Sequence, residues 1–149
     1  MAIKIPNKNM IAIKKLTLNE IGPAGLTQQM VQKALKARVF NEKLLDESDK
    51  GNVVAIRELL VNELVDVNVT NSHGDTPLIL ATNTGHIEAV KELLKKEGIN
   101  VYLTNLNGYS ALGVAAAKRY KEIAELILIH IDPTRSIQIK DFSQPTSHA

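Results

Sequence analysis

Four histidines, a scatter of carboxylates and no cysteine are the side chains on which chemistry could rest in this chain. Without cysteine there is no disulfide, no thiolate metal site and no thiol nucleophile, a composition that fits a reducing compartment. The histidines are His73, His86, His130 and His148, and no two stand four residues apart. No helix can therefore present a pair of imidazoles to one zinc ion. His130 falls at a helix end, where a cation is favourable. No Ser, Asp and His assemble into a nucleophile motif. Gly22-Pro23-Ala24-Gly25 precedes a helical stretch, but no Lys-Ser/Thr pair follows. It reads as a helix-entry turn, not a phosphate loop. Glu88 and Glu92 lie at helical spacing from Lys91, Lys95 and Lys96. They read as solvated ion pairs worth roughly 0.3 kcal/mol each, not as an acid/base pair. These residues point to no enzyme, no cofactor and no metal.

The composition bounds what can hold such a chain together. At 149 residues it is one domain, and with 44% hydrophobic residues but only 3% aromatic its core must be aliphatic. No apolar run reaches transmembrane length. The opening stretch, MAIKIPNKNMIAIKKL, has no continuous apolar segment of the kind a secretory signal needs. A cytoplasmic protein is expected, with delivery into a host cell left open. Charge is uneven: residues 1–40 carry seven Lys/Arg and one Glu, whereas residues 41–131 carry nine Lys/Arg and thirteen Asp/Glu. The basic arm can lie on the acidic body, or tether the chain to an anionic membrane or nucleic acid. Its lysines are spread out with no aromatic among them, which disfavours nucleic acid.

The stretch that organises the rest is Gly74–Leu94. Thr76-Pro77 supplies a capping hydroxyl and a first-turn proline. Leu78, Leu80 and Ala81 supply an apolar face, and Gly85 ends the helix. Ile87, Val90, Leu93 and Leu94 then form the stripe of a second helix. Neither helix is long enough to stand alone. A shift of 34 residues sets Gly74 on Gly108, Leu78 on Leu112, Ala81 on Ala115 and Leu94 on Leu128. The opposite shift sets Gly85 on Gly51 and Leu93 on Leu59. Asp66-Val67-Asn68 matches Asn100-Val101-Tyr102.

A period of this length with this internal grammar resembles the ankyrin-repeat family. The resemblance covers about Asn41–Ile131. It implies an all-α solenoid of stacked helix-turn-helix units joined by short β-hairpin loops. The expected organisation is a basic arm over 1–40 with a helix at about 27–40, a repeat domain over 41–131 (about 41–65, 66–99 and 100–131) and a tail over 132–149. The helix begins at Thr27 and should lay Met30, Val31, Ala34 and Leu35 on the open end of the stack. The first repeat is cap-like, because Asp46 and Glu47 stand where the second has Leu80 and Ala81, so those positions should face solvent. The hairpins are expected over Val65–Asp75 and Ile99–Tyr109, with Gly74 and Gly108 at φ > 0. Asn71 and Asn105 take the place of the family's usual Asp and can bond the loop backbone. The third repeat departs further: Gly113 enters a helix, Arg119 replaces the turn glycine, and KEIAELILIHI is apolar nearly all round. Ala124, Ile127, Leu128 and Ile131 should face the second repeat, leaving Ile123, Leu126 and Ile129 as an outer stripe. That stripe can be covered by a fold-back of Ile137–Phe142, by a partner protein, by self-association through a dimer contact or by further repeats of a longer array.

The resemblance also implies where a partner would bind. In the family the hairpin tips and the first helices line a concave groove. Here the matching positions are Thr70, Ser72, His73, Asp75, Asn83 and Thr84 in the second unit. In the third they are Thr104, Leu106, Asn107, Tyr109, Ala117 and Lys118, with Asp49 and Lys50 as weaker ones in the first. Leu106 and Tyr109 stand out as apolar groups on a loop in a chain with few aromatics. His86 matches the family's Gly-His, whose ring bonds loop backbone, and is expected to be structural. The family's Thr-Pro-Leu-His network is absent, since Ile79 and Gly113 replace its His. The expected function is non-enzymatic capture of a partner protein. Proteins of this family act as scaffolds, inhibitors and adaptors, or, in intracellular bacteria and large viruses, on host proteins.

Overall fold

The computed structural model describes residues 27–135, so the GPAG turn and the Ile137–Phe142 fold-back lie outside the described residues. The chain divides into two compact units, 1–40 and 41–149. Helix α1 (Gln28–Lys50) runs from the first into the second. The Thr27 hydroxyl accepts from Met30 N at 3.0 Å, the expected cap. No glycine or proline interrupts residues 28–50, so the helix continues past the expected stop near residue 40. Met30, Val31, Ala34 and Leu35, the apolar face expected of its first turns, are exposed.

In the second unit, the end of α1 pairs in sequence with α2 (Val53–Leu60). The next pair is α3 (Pro77–Asn83) and α4 (Ile87–Leu94), and the last is α5 (Ala111–Lys118) and α6 (Lys121–Ile131). First helices pack on first helices, α3 on α5, and second helices on second, α2 on α4 on α6. Leu44, Ile56, Leu78, Ile79, Val90, Leu93 and Ile127 are buried where these layers meet. Asp46 is exposed and pairs with Lys50 at 2.7 Å, as a solvent-facing first repeat requires, whereas Glu47 is half-buried and accepts from Asn52 Nδ2 at 3.4 Å.

Two local devices start and stop the helices. Thr76 and Ser110 hydroxyls accept from Ile79 N and Gly113 N, each at 3.1 Å, satisfying donors that the first turn leaves orphaned. The first helix of every pair ends in a left-handed residue: Gly51 (φ 73°), Gly85 (φ 75°) and Arg119 (φ 62°). The amide that follows reaches back to the helix each time: Asn52 N to Glu47 O, His86 N to Ala81 O, and Tyr120 N to Ala115 O. The glycines do more than permit the turn. A Cβ on Gly51 would lie 2.3 Å from the His86 ring, and one on Gly85 would lie 3.3 Å from the Tyr120 ring. Each ring of a later repeat rests on bare backbone of the repeat before it.

Three expectations change. The His86 ring makes no capping hydrogen bond, so its structural role is packing on Gly51. Ile123 is buried to 1% exposure, because it lies one turn before Ile127 on the same side of α6; Leu126 and Ile129 are half-buried. Glu92 is not a solvated ion-pair partner. Its side chain is 12% exposed, accepts Arg57 Nη2 from the preceding repeat at 2.9 Å, and pairs with Lys95 at 3.2 Å. Lys96 goes instead to Leu60 O at 2.8 Å, so this edge of α4 is tied to the repeat before it.

Relieving Arg119 of its left-handed backbone with Arg119→Gly should stabilise the protein by about 0.5–1 kcal/mol. The penalty for an L-residue there exceeds the extra chain entropy of glycine. Urea denaturation reads this, and an unchanged or lower midpoint would contradict it. The hydrogen bond from Arg57, with help from Lys95, holds the Glu92 carboxyl below its ordinary range against the opposing effect of burial. A depressed folded-state pKa contributes stability above the ordinary carboxylate range, and that contribution is lost as pH falls through the folded value. The wild type should therefore lose more stability than Glu92→Gln as pH is lowered through that range. Parallel acid limbs in thermal melts would remove the pair from the account.

Candidate functional site

The two inter-repeat loops are built from asparagines. Asn71 Oδ1 accepts from His73 N at 2.8 Å and Asp75 N at 2.9 Å. Asn105 Oδ1 repeats the pattern with Asn107 N and Tyr109 N, both at 3.0 Å. Backbone bonds close each loop, from Asn71 N to Asp75 O and from Asn105 N to Tyr109 O. Gly74 (φ 81°) and Gly108 (φ 85°) take the left-handed position as expected. The loops are tight turns, not extended hairpins: among the described residues the pairing reduces to one isolated antiparallel bridge, Thr104 with Ser110.

The loops are also tied to one another. Leu106 N donates to His73 O at 3.0 Å, and Asn105 Nδ2 donates to Asp75 Oδ1 at 2.9 Å. A Cβ on Gly74 would stand 2.9 Å from Leu106 N, so the close approach needs glycine at that position. Lower down, Asn68 joins the same repeats: its Oδ1 accepts from Asn100 N at 2.8 Å and its Nδ2 donates to Gly98 O at 2.9 Å. The result is a rigid ledge. The Leu106 backbone is held by the neighbouring loop while its side chain is 79% exposed.

Most of the positions expected to meet a partner are open to solvent: Thr70, Ser72, His73, Asn83, Thr84, Thr104, Leu106, Asn107, Tyr109, Ala117 and Lys118 are all exposed. The Thr84 hydroxyl is turned back to Leu80 O at 2.9 Å. Asp75 is the departure. It is half-buried and occupied by the Asn105 amide, which makes it a strut between the two loops. Asp49 and Lys50 are exposed, the latter paired with Asp46. Tyr109 is half exposed, and its ring leans toward α5, where a Cβ on Gly113 would be 3.5 Å from Cδ1. Leu106, Tyr109, Ala117 and Lys118 thus follow one another along the third unit from loop tip to helix end.

The strut role of Asn68 escaped the sequence reading. Its one available signal was an amide at a position where the next repeat has Tyr102, 68% exposed and without that bridge. Shallow depressions lie elsewhere among the described residues of the second unit. One of about 250 Å³ is lined by Ile99, Asn100, Val101, Tyr102, His130 and Ile131. Another of about 210 Å³ is lined by Arg57, Leu60, Val61, Glu92, Lys95 and Lys96. Both fall below the roughly 300 Å³ at which small-molecule sites begin, and neither is lined by Leu106 or Tyr109. Among the described residues no three His, Asp or Glu gather as metal ligands, and no helix is long and apolar enough to cross a membrane.

A family model described as ankyrin repeats (3 copies) matches residues 45–139. No match to the chain is found among curated proteins.

Removing Asn105 should loosen the ledge more than removing Asn71, because its amide closes its own loop and also grips Asp75. Asn105→Ala is expected to destabilise by about 2–3 kcal/mol and Asn71→Ala by about 1–2, taking roughly 1 kcal/mol per lost hydrogen bond. Urea unfolding of the two variants checks the order, and a reversed order would mean that the inter-loop bond contributes little.

Proposed function

Since the chain belongs to the ankyrin-repeat family, we propose that it is a non-catalytic module that captures a partner protein on the ledge and on the first helices below it. One observation carries this reading: Leu106 presents an almost fully exposed apolar side chain from a backbone anchored to the neighbouring repeat. An apolar group held in this way binds with little loss of conformational freedom. Tyr109 adds an amphipathic ring beside it, of a type enriched at interface hot spots. Around them, Thr70, Ser72, His73, Asn83, Thr84, Thr104, Asn107 and Lys118 supply a polar rim that excludes water and sets register. Asp75 contributes through Asn105, by holding the loops in their relative position. The chain acts as an adaptor or a host-directed effector according to the partner that this surface accepts.

The test separates binding from folding. Leu106→Ala with Tyr109→Ala should leave the melting temperature within a few degrees of wild type, since both side chains are half or more exposed. Loss of a hot-spot pair should weaken partner capture at least about 30-fold. Quantitative affinity capture with wild type and variant, beside thermal melts, reads both. Capture that survives the double change, or that falls only in step with stability, would remove the ledge as the binding site.

A further inference from the structure

We propose that the surface over α5 takes an acidic segment of its partner, anchored by an apolar side chain. This rests on the binding reading above and supplies the partner's chemistry. Residues 41–131 carry nine cations. Five are engaged: Lys50 with Asp46, Arg57 and Lys95 with Glu92, Lys91 with Glu88, and Lys96 with Leu60 O. Of the other four, Lys118, Arg119 and Lys121 surround a single turn, and all three are exposed without a carboxylate partner among the described residues. The neighbouring turn of the second repeat, residues 83–87, brings no carboxylate to them. Glu88 beyond it is paired with Lys91, Glu125 one turn beyond Lys121 is paired with Arg135, and Glu122 stands within the cluster. A body with thirteen acidic residues thus leaves a local cationic excess at the end of α5.

Backbone strain marks the same place. Arg119 holds a left-handed conformation at the position where both earlier repeats use glycine. Left-handed non-glycine residues cluster at ligand-binding and active sites. At the opposite end of α5 stand Tyr109 and Leu106. The eight-residue helix spans about 12 Å, and Gly113, Ala116 and Ala117 leave its surface low between the two ends. An extended peptide advances about 3.3 Å per residue, so about four residues bridge the helix. The partner segment should therefore carry a large apolar residue with one or more carboxylates about four positions away. A polyanion such as duplex DNA or an anionic bilayer fits less well. It would meet one short cationic turn on an otherwise acidic body, where such ligands are held by many phosphate contacts.

A random-peptide display library, selected on the full chain, tests this. Enriched peptides should be net acidic with a large apolar residue. Their affinity, measured by fluorescence anisotropy, should fall at least about tenfold in a Lys118→Glu, Arg119→Gly, Lys121→Glu variant and fall again as salt is raised. Circular dichroism confirms that the variant folds, and Arg119→Gln, which removes the charge but keeps an L-residue in the left-handed position, set beside Arg119→Gly separates loss of charge from relief of strain. Neutral or basic peptides, no enrichment at all, or affinity indifferent to the charge reversal would each overturn the proposal. If such peptides still depend on Leu106 and Tyr109, the binding reading stands and only the acidic partner falls. If acidic peptides bind without Leu106 and Tyr109, the ledge falls with it. Retention on anionic vesicles or duplex DNA that is lost on charge reversal, with no peptide enriched, would replace the protein segment by a polyanion.

Discussion

The fold depends on an aromatic ring laid against bare backbone. His86 rests on Gly51 and Tyr120 on Gly85, each one repeat apart, at the turn where the first helix gives way to the second. The helices α2 to α6 are 7 to 11 residues long, too short to persist in water by themselves. Each helix pair acquires stability only by covering the pair beside it. The turn glycine serves both requirements at once. It reaches a left-handed conformation without penalty, and it leaves room for the ring that the next repeat brings. In the third repeat the same turn is made by Arg119, whose Cβ occupies the corresponding space.

Polar groups do in the loops what apolar groups do between the helices. Asn71 and Asn105 take up the amides of their own loops, and Asn68, Asn105 and Asp75 join one repeat to the next. Outside the core, Arg57, Glu92 and Lys96 do the same across the second helices. The repeats are therefore connected along three lines: an apolar layer, a row of amides and a short ionic strip. This makes the loop ledge rigid, and it decides which loop residues remain available. Asp75 is consumed as a strut, while Leu106 and Tyr109 keep their side chains free.

Much of this was legible before any coordinates. The 34-residue spacing, the Thr76 cap, the loop glycines and the asparagines in place of aspartates each predict a local geometry that holds. These are short-range matters: a cap, an Asx turn or a left-handed glycine is decided within four or five residues. The misreadings share the opposite property. Whether α1 stops near residue 40 depends on a breaker that the chain does not supply before Gly51. Ile123 could be assigned to either side of an α6 that is apolar nearly all round, and only the neighbours of α6 resolve the choice. Glu92 looked like one half of an exposed helical pair because its main partner, Arg57, lies 35 residues earlier.

By itself, then, the sequence determined the repeat, its period and the conformation of its turns, since hydrogen bonds between close neighbours and the steric limits of φ suffice for those. It also named the apolar pair on the loop that opens the third repeat. Only the tertiary structure decided that His86 packs instead of bonding, that Asp75 is a strut, and that Leu106 is presented from an anchored backbone. Each of those depends on a group about one full repeat away in the chain. Stacking brings such groups within reach, and no local pattern encodes the distance between them.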